Sequence, residues 1–165
     1  MDATHNMVYV ETSIPSFYYT LRTDPESVAR MHWTRQWWAA YADTCELTTS
    51  AAVIDELRKG TGERTEDRIA LLANAVVLPI TEEVIRIAQV YIDRRVMPRD
   101  PEGEALHLAL ASYHKADFLL TWNCKHLANA SKFHHIRMVN FELGLATPIL
   151  TTPLNFGSLG GRSDE

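Results

Sequence analysis

The sequence carries four side chains of the types that bind hard metal ions, each in a separate short segment. They are Glu11, Glu56, Glu104 and Asn123. Carboxylate and amide oxygens are the ligands that Mg²⁺ and Mn²⁺ prefer in proteins. If these four side chains converge, they form an oxygen-ligand pocket for one of those ions. Such a pocket supports the chemistry of a nuclease.

Two of the four positions follow apolar runs that predict β-strands. Glu11 comes directly after residues 7–10, and Asn123 comes directly after residues 118–122. In a parallel α/β sheet, ligands bind at the carboxyl ends of the strands, so both side chains are expected at the same edge. Glu104 opens the helix that precedes the second of these strands, where the helix dipole favours an acid. Connectivity therefore predicts that three of the four side chains share one edge.

The geometry of helices and strands also indicates which other acids can reach the predicted pocket. Asp55 and Glu56 are adjacent on one helical segment and point about 100° apart around its axis, so either can reach the pocket. Asp117 begins the strand that Asn123 follows, and this strand spans about 20 Å. Asp117 is therefore expected at the opposite edge of the sheet, outside the predicted site.

Apolar runs alternate with helical patterns along the whole chain. Strands are predicted at 7–10, 47–49, 76–80, 118–122 and 148–152; helices at 25–42, 50–59, 65–74, 81–92, 105–113 and 133–143; a loop or helix start at 16–23; and a loop at 97–103. Ser50 and Thr81 are predicted helix caps. The alternation predicts a three-layer α/β/α sandwich with a mainly parallel central sheet. Residues 1–165 are expected to form a single domain, with a core at about 7–155 and a loose tail at 156–165.

The composition argues against several classes of protein. The net charge of −5 has the wrong sign for a protein that coats nucleic acid through a broad basic surface. No apolar run is long enough to cross a bilayer, and residues 1–6 lack the pattern of a secretory signal, so a cytoplasmic protein is expected. The two cysteines, Cys45 and Cys124, are expected to be reduced.

Four segments taken together resemble the PIN domain, and most closely the VapC-like toxins of bacterial type II toxin–antitoxin systems. They are Tyr9–Ser13, the helix that contains Glu56, Glu104–Ala109 and Leu119–Asn129. The resemblance extends over roughly residues 7–155. It implies a metal-dependent endoribonuclease that uses Mg²⁺ or Mn²⁺ and leaves 5′-phosphate and 3′-hydroxyl ends. It also implies an RNA substrate and a separate antitoxin protein as partner.

The same resemblance implies roles for individual side chains. The acidic-site positions are Glu11, Glu56, Glu104 and Asn123, and the supporting hydrogen-bond donors are Thr12 or Ser13 together with Thr121. The three acids would hold the metal ion, and the amide would orient a water. Two features depart from the usual family pattern: Glu replaces Asp at the first and third acids, and the fourth position is an amide. The amide removes one negative charge, which weakens binding of a second metal ion.

Basic side chains near the predicted site are candidates for contacts with RNA phosphates. They are Arg94, Arg95, Arg99, Lys125 and His126. Solvated loop charges explain them equally well. His107 lies three residues after Glu104 and is interpreted mainly as a packed or hydrogen-bonded side chain, with a catalytic role as the less favoured interpretation.

Three alternatives to a ribonuclease are open. The departures at the acidic positions motivate a PIN-like module, weakly active or inactive, that binds RNA or a protein. A small-molecule phosphohydrolase is disfavoured because the sequence has neither a Gly-rich phosphate loop nor an Asp-x-Asp motif. A zinc site built from Cys124, His126 and the His134–His135 pair is disfavoured because no further element completes a tetrahedral set.

Three tryptophans lie close together in the helical pattern at 25–42. Trp33, Trp37 and Trp38 are predicted to form helix core or a homodimer face, in preference to a platform for base stacking. An exposed aromatic stripe would also suit an antitoxin helix lying in a groove.

Overall fold

The computed structural model describes residues 6–60, 62–97 and 103–160, with side chains described up to Gly157. The strands are β1 Met7–Val10, β2 Glu46–Ser50, β3 Val76–Leu78, β4 Phe118–Leu120 and β5 Ile149–Thr151. The helices are α1 Ser13–Tyr18, α2 Pro25–Tyr41, α3 Ala51–Lys59, α4 Thr65–Leu71, α5 Glu82–Asp93, α6 Glu104–Tyr113, α7 Ala130–Leu143 and α8 Pro153–Gly160. The predicted alternation of strands and helices is confirmed.

In the part of the chain that the structure describes, five strands form one sheet in the order β3-β2-β1-β4-β5, and every neighbouring pair is parallel. The chain builds β2 and β3 on one side of β1, then returns to build β4 and β5 on the other side. This order creates a topological switch point between β1 and β4, where ligands bind in open α/β sheets. The predicted fold class is confirmed.

The central strands are buried along their length, which explains their uninterrupted apolar sequences. Val8, Tyr9 and Val10 have no exposed surface, and Leu119 and Leu120 have none either. A strand covered on both faces carries apolar residues at successive positions, without the alternation of a half-exposed strand. Val10 pairs with Leu120, so β1 and β4 end level. The residues that follow them therefore emerge side by side.

Helix starts follow the sequence signals at two positions and depart from them at a third. The Thr81 hydroxyl accepts a hydrogen bond from a backbone N–H one turn into α5, at 3.2 Å, so this predicted cap is confirmed. Asp24 caps α2, with Pro25 in the first turn. Ser50 was predicted to cap α3, but its side chain makes no capping bond. Its hydroxyl lies instead 2.8 Å from the hydroxyl of Tyr9 in the core.

The loose tail predicted from residue 156 is wrong for its first part. Pro153–Gly160 form α8, and the Phe156 ring is buried 5.4 Å from the ring of Trp37 and 4.6 Å from that of Phe118. A glycine costs a helix about 1 kcal/mol, whereas burying a phenylalanine contributes about 2–3 kcal/mol. Aromatic packing therefore outweighs the poor helix propensity of this segment. Residues 161–165 lie outside the described part of the chain.

Other boundaries differ from prediction by a few residues. α1 begins at Ser13, directly after the first strand, and α7 begins at Ala130 with Asn129 as its cap. Of the predicted loop at 97–103, residues 98–102 lie outside the described residues. No helix in the described ranges has the length and apolar character needed to span a membrane.

The tryptophan cluster belongs largely to the core. Trp37 is buried, while Trp33 and Trp38 are half-buried. The Trp33 ring stacks on that of Trp122, with 6.2 Å between the ring centroids. Trp122 directly precedes the predicted site residue Asn123 in the sequence. The helix-core interpretation is confirmed for Trp37 and holds in part for the other two. The homodimer face stays a prediction.

Candidate active site

A cleft of about 450 Å³ opens at the carboxyl edge of the sheet, at the switch point between β1 and β4. Its lining residues are Glu11, Thr12, Ser13, Ser16, Phe17, Glu56, Lys59, Glu104 and Asn123. All four predicted site positions therefore share one cleft, although they come from four different elements or loops. Asp117 accepts a hydrogen bond from the backbone N–H of Met7 at the other end of β4, as expected. The chemical role of the four residues stays a prediction.

Glu11 is fixed by hydroxyl groups at the ends of both central strands. Its Oε1 accepts hydrogen bonds from the Ser13 backbone N–H at 3.1 Å, the Ser13 hydroxyl at 2.5 Å and the Thr121 hydroxyl at 2.7 Å. The Ser13 hydroxyl in turn accepts from the backbone N–H of Trp122 at 2.7 Å. The supporting hydrogen bonds expected of Ser13 and Thr121 are thus present, and they hold β1 and β4 together at the cleft.

Of the two acids on α3, Glu56 is the one that enters the cleft, while Asp55 is exposed. The Glu56 Oε1 accepts a hydrogen bond from the Thr12 hydroxyl. The Nε2 of His107 lies 3.1 Å from Oε1 and 3.3 Å from Oε2. The Glu56 side chain keeps 26% of its surface exposed, so its carboxylate is held in place and still accessible from the cleft.

The backbone of Gly103 packs directly against Glu56. Gly103 precedes α6 with φ of +79°, a left-handed conformation that glycine adopts readily. A Cβ at this position would lie 2.6 Å from Oε2 of Glu56, which is far inside van der Waals contact. A side chain at this position would therefore strain the backbone and displace the Glu56 carboxylate.

Glu104 is the most deeply buried of the three acids, with 4% of its surface exposed. Its Oε2 accepts a hydrogen bond from Nδ2 of Asn123 at 2.6 Å. Its Oε1 is buried and has no hydrogen-bond partner among the residues that the structure describes. A buried carboxylate oxygen without a partner is costly unless a cation or a proton compensates it. This atom is therefore where the cleft is chemically incomplete.

The amide of Asn123 is oriented by hydrogen bonds from both of its ends. Its nitrogen donates to Glu104, and its oxygen accepts from the backbone N–H of His126 at 3.0 Å. The two partners fix the amide orientation, because a carboxylate requires a donor and an N–H requires an acceptor. The group that Asn123 turns toward the acids is therefore a donor. This arrangement suits the positioning of Glu104 better than the orientation of a water through the amide oxygen.

His107 is a fully buried, hydrogen-bonded side chain, as the favoured interpretation of the sequence has it. Burial by itself lowers the pKa of His107. The hydrogen bond with Glu56 and the charges of Glu11, Glu56 and Glu104 act in the opposite direction, and together they raise that pKa above its ordinary value. A positive charge on this ring offsets part of the repulsion among the three acids.

The donor set fits Mg²⁺ or Mn²⁺ in kind. Three carboxylates supply hard oxygen ligands, and Oε1 of Glu104, which is buried without a partner among the described residues, is an atom whose charge a cation would compensate. Among the described residues, no three His, Cys, Asp or Glu side chains stand close enough to hold an ion as they are placed. An ion in this cleft would therefore be held partly through waters, or after a shift of at least one carboxylate. The same finding gives no support to a zinc site at Cys124, His126 and His134.

Lys59, Ser16 and Phe17 line the cleft and were not predicted to do so. Lys59 lies three residues after Glu56. Because residues three or four apart are neighbours on a helix surface, this spacing would have predicted Lys59 beside the cleft. Ser16 and Phe17 belong to α1, and the early start of that helix brings them to the cleft.

The four predicted phosphate-contact residues that the structure describes, Arg94, Arg95, Lys125 and His126, do not line the cleft. Lys125 and His126 follow Asn123 but do not line the cleft. Arg94 forms an ion pair with Glu142 at 2.7 Å. Arg99 lies outside the described residues.

A larger groove of about 720 Å³ lies between α7 and β5. Its lining is mainly apolar, and includes Phe133, Met138 and Phe141. The one carboxylate that lines it, Glu142, is the partner of Arg94. The titratable side chains of this lining are His134, Arg137 and Glu142, with one carboxylate where the smaller cleft has three, so the smaller acidic cleft is the candidate active site.

Solved structures share the fold of this chain. VapBC2 from Rickettsia felis, bound to a DNA fragment from their promoter, matches with a TM-score of 0.56 and 13% identity over 88% of this chain and 98% of the matched chain. VapBC-1 from nontypeable Haemophilus influenzae matches with a TM-score of 0.56 and 15% identity, over 90% and 98% of the two chains. FitAcB from Neisseria gonorrhoeae matches with a TM-score of 0.53 and 14% identity, over 91% and 100%.

The sequence itself matches no protein-family model and no curated protein. At the low identities of the structural matches, the likeness establishes a shared fold. The PIN-like architecture expected from the sequence is therefore confirmed at the level of the fold.

Proposed function

We propose that this chain is a metal-dependent endoribonuclease of the VapC-like toxin kind, with the acidic cleft as its active site. The observation that carries the proposal is Oε1 of Glu104, which is buried and has no hydrogen-bond partner in the described ranges, in a cleft that also contains Glu11 and Glu56. A buried carboxylate oxygen without a partner, in a cleft with two further acids, is costly unless a cation or a proton compensates it. The structural similarity to VapBC and FitAcB complexes supports the toxin assignment.

In this proposal Glu11, Glu56 and Glu104 hold one Mg²⁺ or Mn²⁺, partly through waters. When bound, the ion supplies a more acidic water and neutralises charge that develops on the scissile phosphate. One of the carboxylates accepts the proton of the attacking water. The products are a 5′-phosphate and a 3′-hydroxyl end.

The neighbouring side chains orient these groups and bind the substrate. Ser13 and Thr121 keep Glu11 fixed by three hydrogen bonds, and Asn123 keeps one oxygen of Glu104 fixed so that the other faces the ion. Lys59 places an exposed positive charge at the cleft, where it would contact an RNA phosphate.

The same proposal extends to partners. A separate antitoxin protein would bind the chain and restrain its activity, two copies would form a homodimer, and the protein would act in the cytoplasm. Co-expression with the product of a neighbouring small reading frame, followed by size-exclusion chromatography, would detect both assemblies.

The first experiment is cleavage of total cellular RNA by the purified protein with Mn²⁺ or Mg²⁺, beside EDTA and a Glu11→Gln variant. We expect cuts that require the metal, disappear in the variant and carry 5′-phosphate ends. Cleavage that persists in EDTA and leaves 2′,3′-cyclic phosphate would overturn the scheme.

A non-catalytic module that binds RNA is the second candidate. It is favoured by the amide at position 123 and by the separation of the carboxylates in the described structure. Intact RNA with no uptake of Mn²⁺ in calorimetry, together with retained RNA binding, would favour this second candidate over the nuclease.

A further inference from the structure

A continuous chain of hydrogen bonds runs through the core to Glu56. The Tyr9 hydroxyl lies 2.8 Å from the Ser50 hydroxyl and 2.7 Å from Nδ1 of His107. The Nε2 of the same ring lies 3.1 Å from Oε1 of Glu56. Tyr9, Ser50 and His107 have no exposed surface. The chain therefore links the interior of the sheet to a single carboxylate in the cleft.

The contact between His107 and Glu56 determines which group donates and which accepts in each of these hydrogen bonds. A carboxylate only accepts, so Nε2 of His107 must carry a proton toward Glu56. In a neutral ring Nδ1 then accepts, and the Tyr9 hydroxyl donates to it while it accepts from Ser50. In a charged ring Nδ1 donates, and the Tyr9 hydroxyl accepts from it and donates to Ser50. The Tyr9 hydroxyl can reverse, so it satisfies Nδ1 in either state.

This geometry restrains a side chain that has three rotatable bonds. The Thr12 hydroxyl and the His107 ring both bond Glu56, and the Gly103 backbone leaves no room on a further side. A free glutamate would lose side-chain entropy on binding an ion, whereas a restrained one has already lost it. Hydrogen bonds behind a metal ligand act in the same way in other sites.

We infer that Tyr9 and His107 are positioning residues, which hold Glu56 in the orientation that binds the metal ion. The inference rests on the proposed function of the cleft. It gives a specific role to His107, which was interpreted mainly as a packed or hydrogen-bonded side chain, and to the hydroxyls of Tyr9 and Ser50, the second of which was predicted to be a helix cap.

The test compares Tyr9→Phe with Tyr91→Phe. Tyr91 is an equally buried tyrosine whose hydroxyl donates to Asn140 at 2.5 Å, away from the cleft, so it controls for loss of a buried hydroxyl. In metal-free protein at one pH, we expect NMR to detect the sheltered Hε2 proton of His107. That signal should be lost or broadened in Tyr9→Phe and retained in Tyr91→Phe. By calorimetry, the affinity for Mn²⁺ should fall about 10-fold or more in Tyr9→Phe alone.

Equal behaviour of the two variants in both measurements would overturn the inference. If wild-type protein neither binds Mn²⁺ nor cuts RNA, the proposed function fails, while the Hε2 signal still decides whether Tyr9 orients His107. If Tyr9→Phe does not fold, His107→Gln and His107→Leu replace it. The glutamine keeps a donor for Glu56 and should retain Mn²⁺ affinity that the leucine loses, and equal affinities would contradict the positioning role.

Discussion

Two buried tyrosines anchor two polar networks that end in different ways. The Tyr9 network ends on Glu56, a carboxylate that opens to the cleft. The Tyr91 network ends inside the protein, because its partner Asn140 donates to the Ser112 hydroxyl at 3.0 Å and also reaches the segment that follows α7. The first network connects the core to the candidate active site, whereas the second connects α5, α6 and α7 to one another.

The chemistry of the two hydroxyls reflects this difference. Burial is the main cause that raises the pKa of both, that of Tyr91 to about 12 and that of Tyr9 well above its ordinary value. Only Tyr9 is also affected by the charges of Glu11 and Glu56, which raise its pKa in the same direction. Buried polar groups thus serve stability where every member is paired, and serve function where one end is left for a ligand.

The largest effect is expected where the acidic network is incomplete. Glu104→Gln removes a charge from the buried site: its amide oxygen can still accept from Asn123, and a neutral amide nitrogen replaces the unpartnered carboxylate oxygen. We expect cleavage to fall about 100-fold or more, because a metal ligand contributes several kcal/mol to catalysis. The free energy of unfolding of the metal-free protein should rise by about 1 kcal/mol. Asp55→Asn, on the exposed face of α3, changes charge equally and should alter neither quantity; a loss of stability in Glu104→Gln would contradict the assignment.

In the neutral network around Tyr91, we expect a change in stability of the opposite sign and no change at the cleft. Asn140→Leu leaves the hydroxyls of Tyr91 and Ser112 buried without their partner, which should lower the free energy of unfolding by about 3 kcal/mol. Urea denaturation measures this loss, and calorimetry on the folded variant should give an unchanged Mn²⁺ affinity. A weakened Mn²⁺ affinity would mean that the two networks are coupled after all.

The smallest expected effect comes from alanine at Gly103. Comparison with alanine at Gly144 distinguishes the cost of backbone strain from the effect of displacing Glu56. Gly103 and Gly144 have similar left-handed φ values of +79° and +76°, and alanine at either costs about 1–2 kcal/mol of strain. A Cβ at Gly144 meets nothing within 4 Å, whereas one at Gly103 meets Glu56. Both variants should lose similar stability to strain, but only Gly103→Ala should lose Mn²⁺ affinity, by about 10-fold. Equal Mn²⁺ affinities in the two variants would remove Glu56 from the ligand set.

The edge of the sheet that carries the candidate site could be predicted because it depends on chain order. Apolar runs locate the strands, and a parallel sheet brings their carboxyl ends together, so Glu11 and Asn123 were expected as neighbours. The two residues are far apart in sequence, but the prediction depends only on the carboxyl ends of parallel strands lying at the same edge of the sheet.

The contacts beneath the site could not be predicted in this way. Ser50 has the residue type and position of a helix cap, and only the packing of β1 beside β2 shows that its hydroxyl meets Tyr9. The orientation of the Asn123 amide likewise depends on the turn that reaches His126. The local sequence around Ser50 and Asn123 is compatible with either partner for each side chain. The neighbours in the folded structure decide which partner each side chain bonds.

The pairing of β1 with β4 also has a consequence for synthesis on the ribosome. The Thr121 hydroxyl bonds Glu11 across 110 positions of sequence, and Asn123 is needed to hold Glu104. A nascent chain that ends before these residues has neither partner and cannot assemble the cleft. If the chain cuts RNA, the capacity to do so appears only once most of the domain has been translated, after the strand that completes the site has left the exit tunnel.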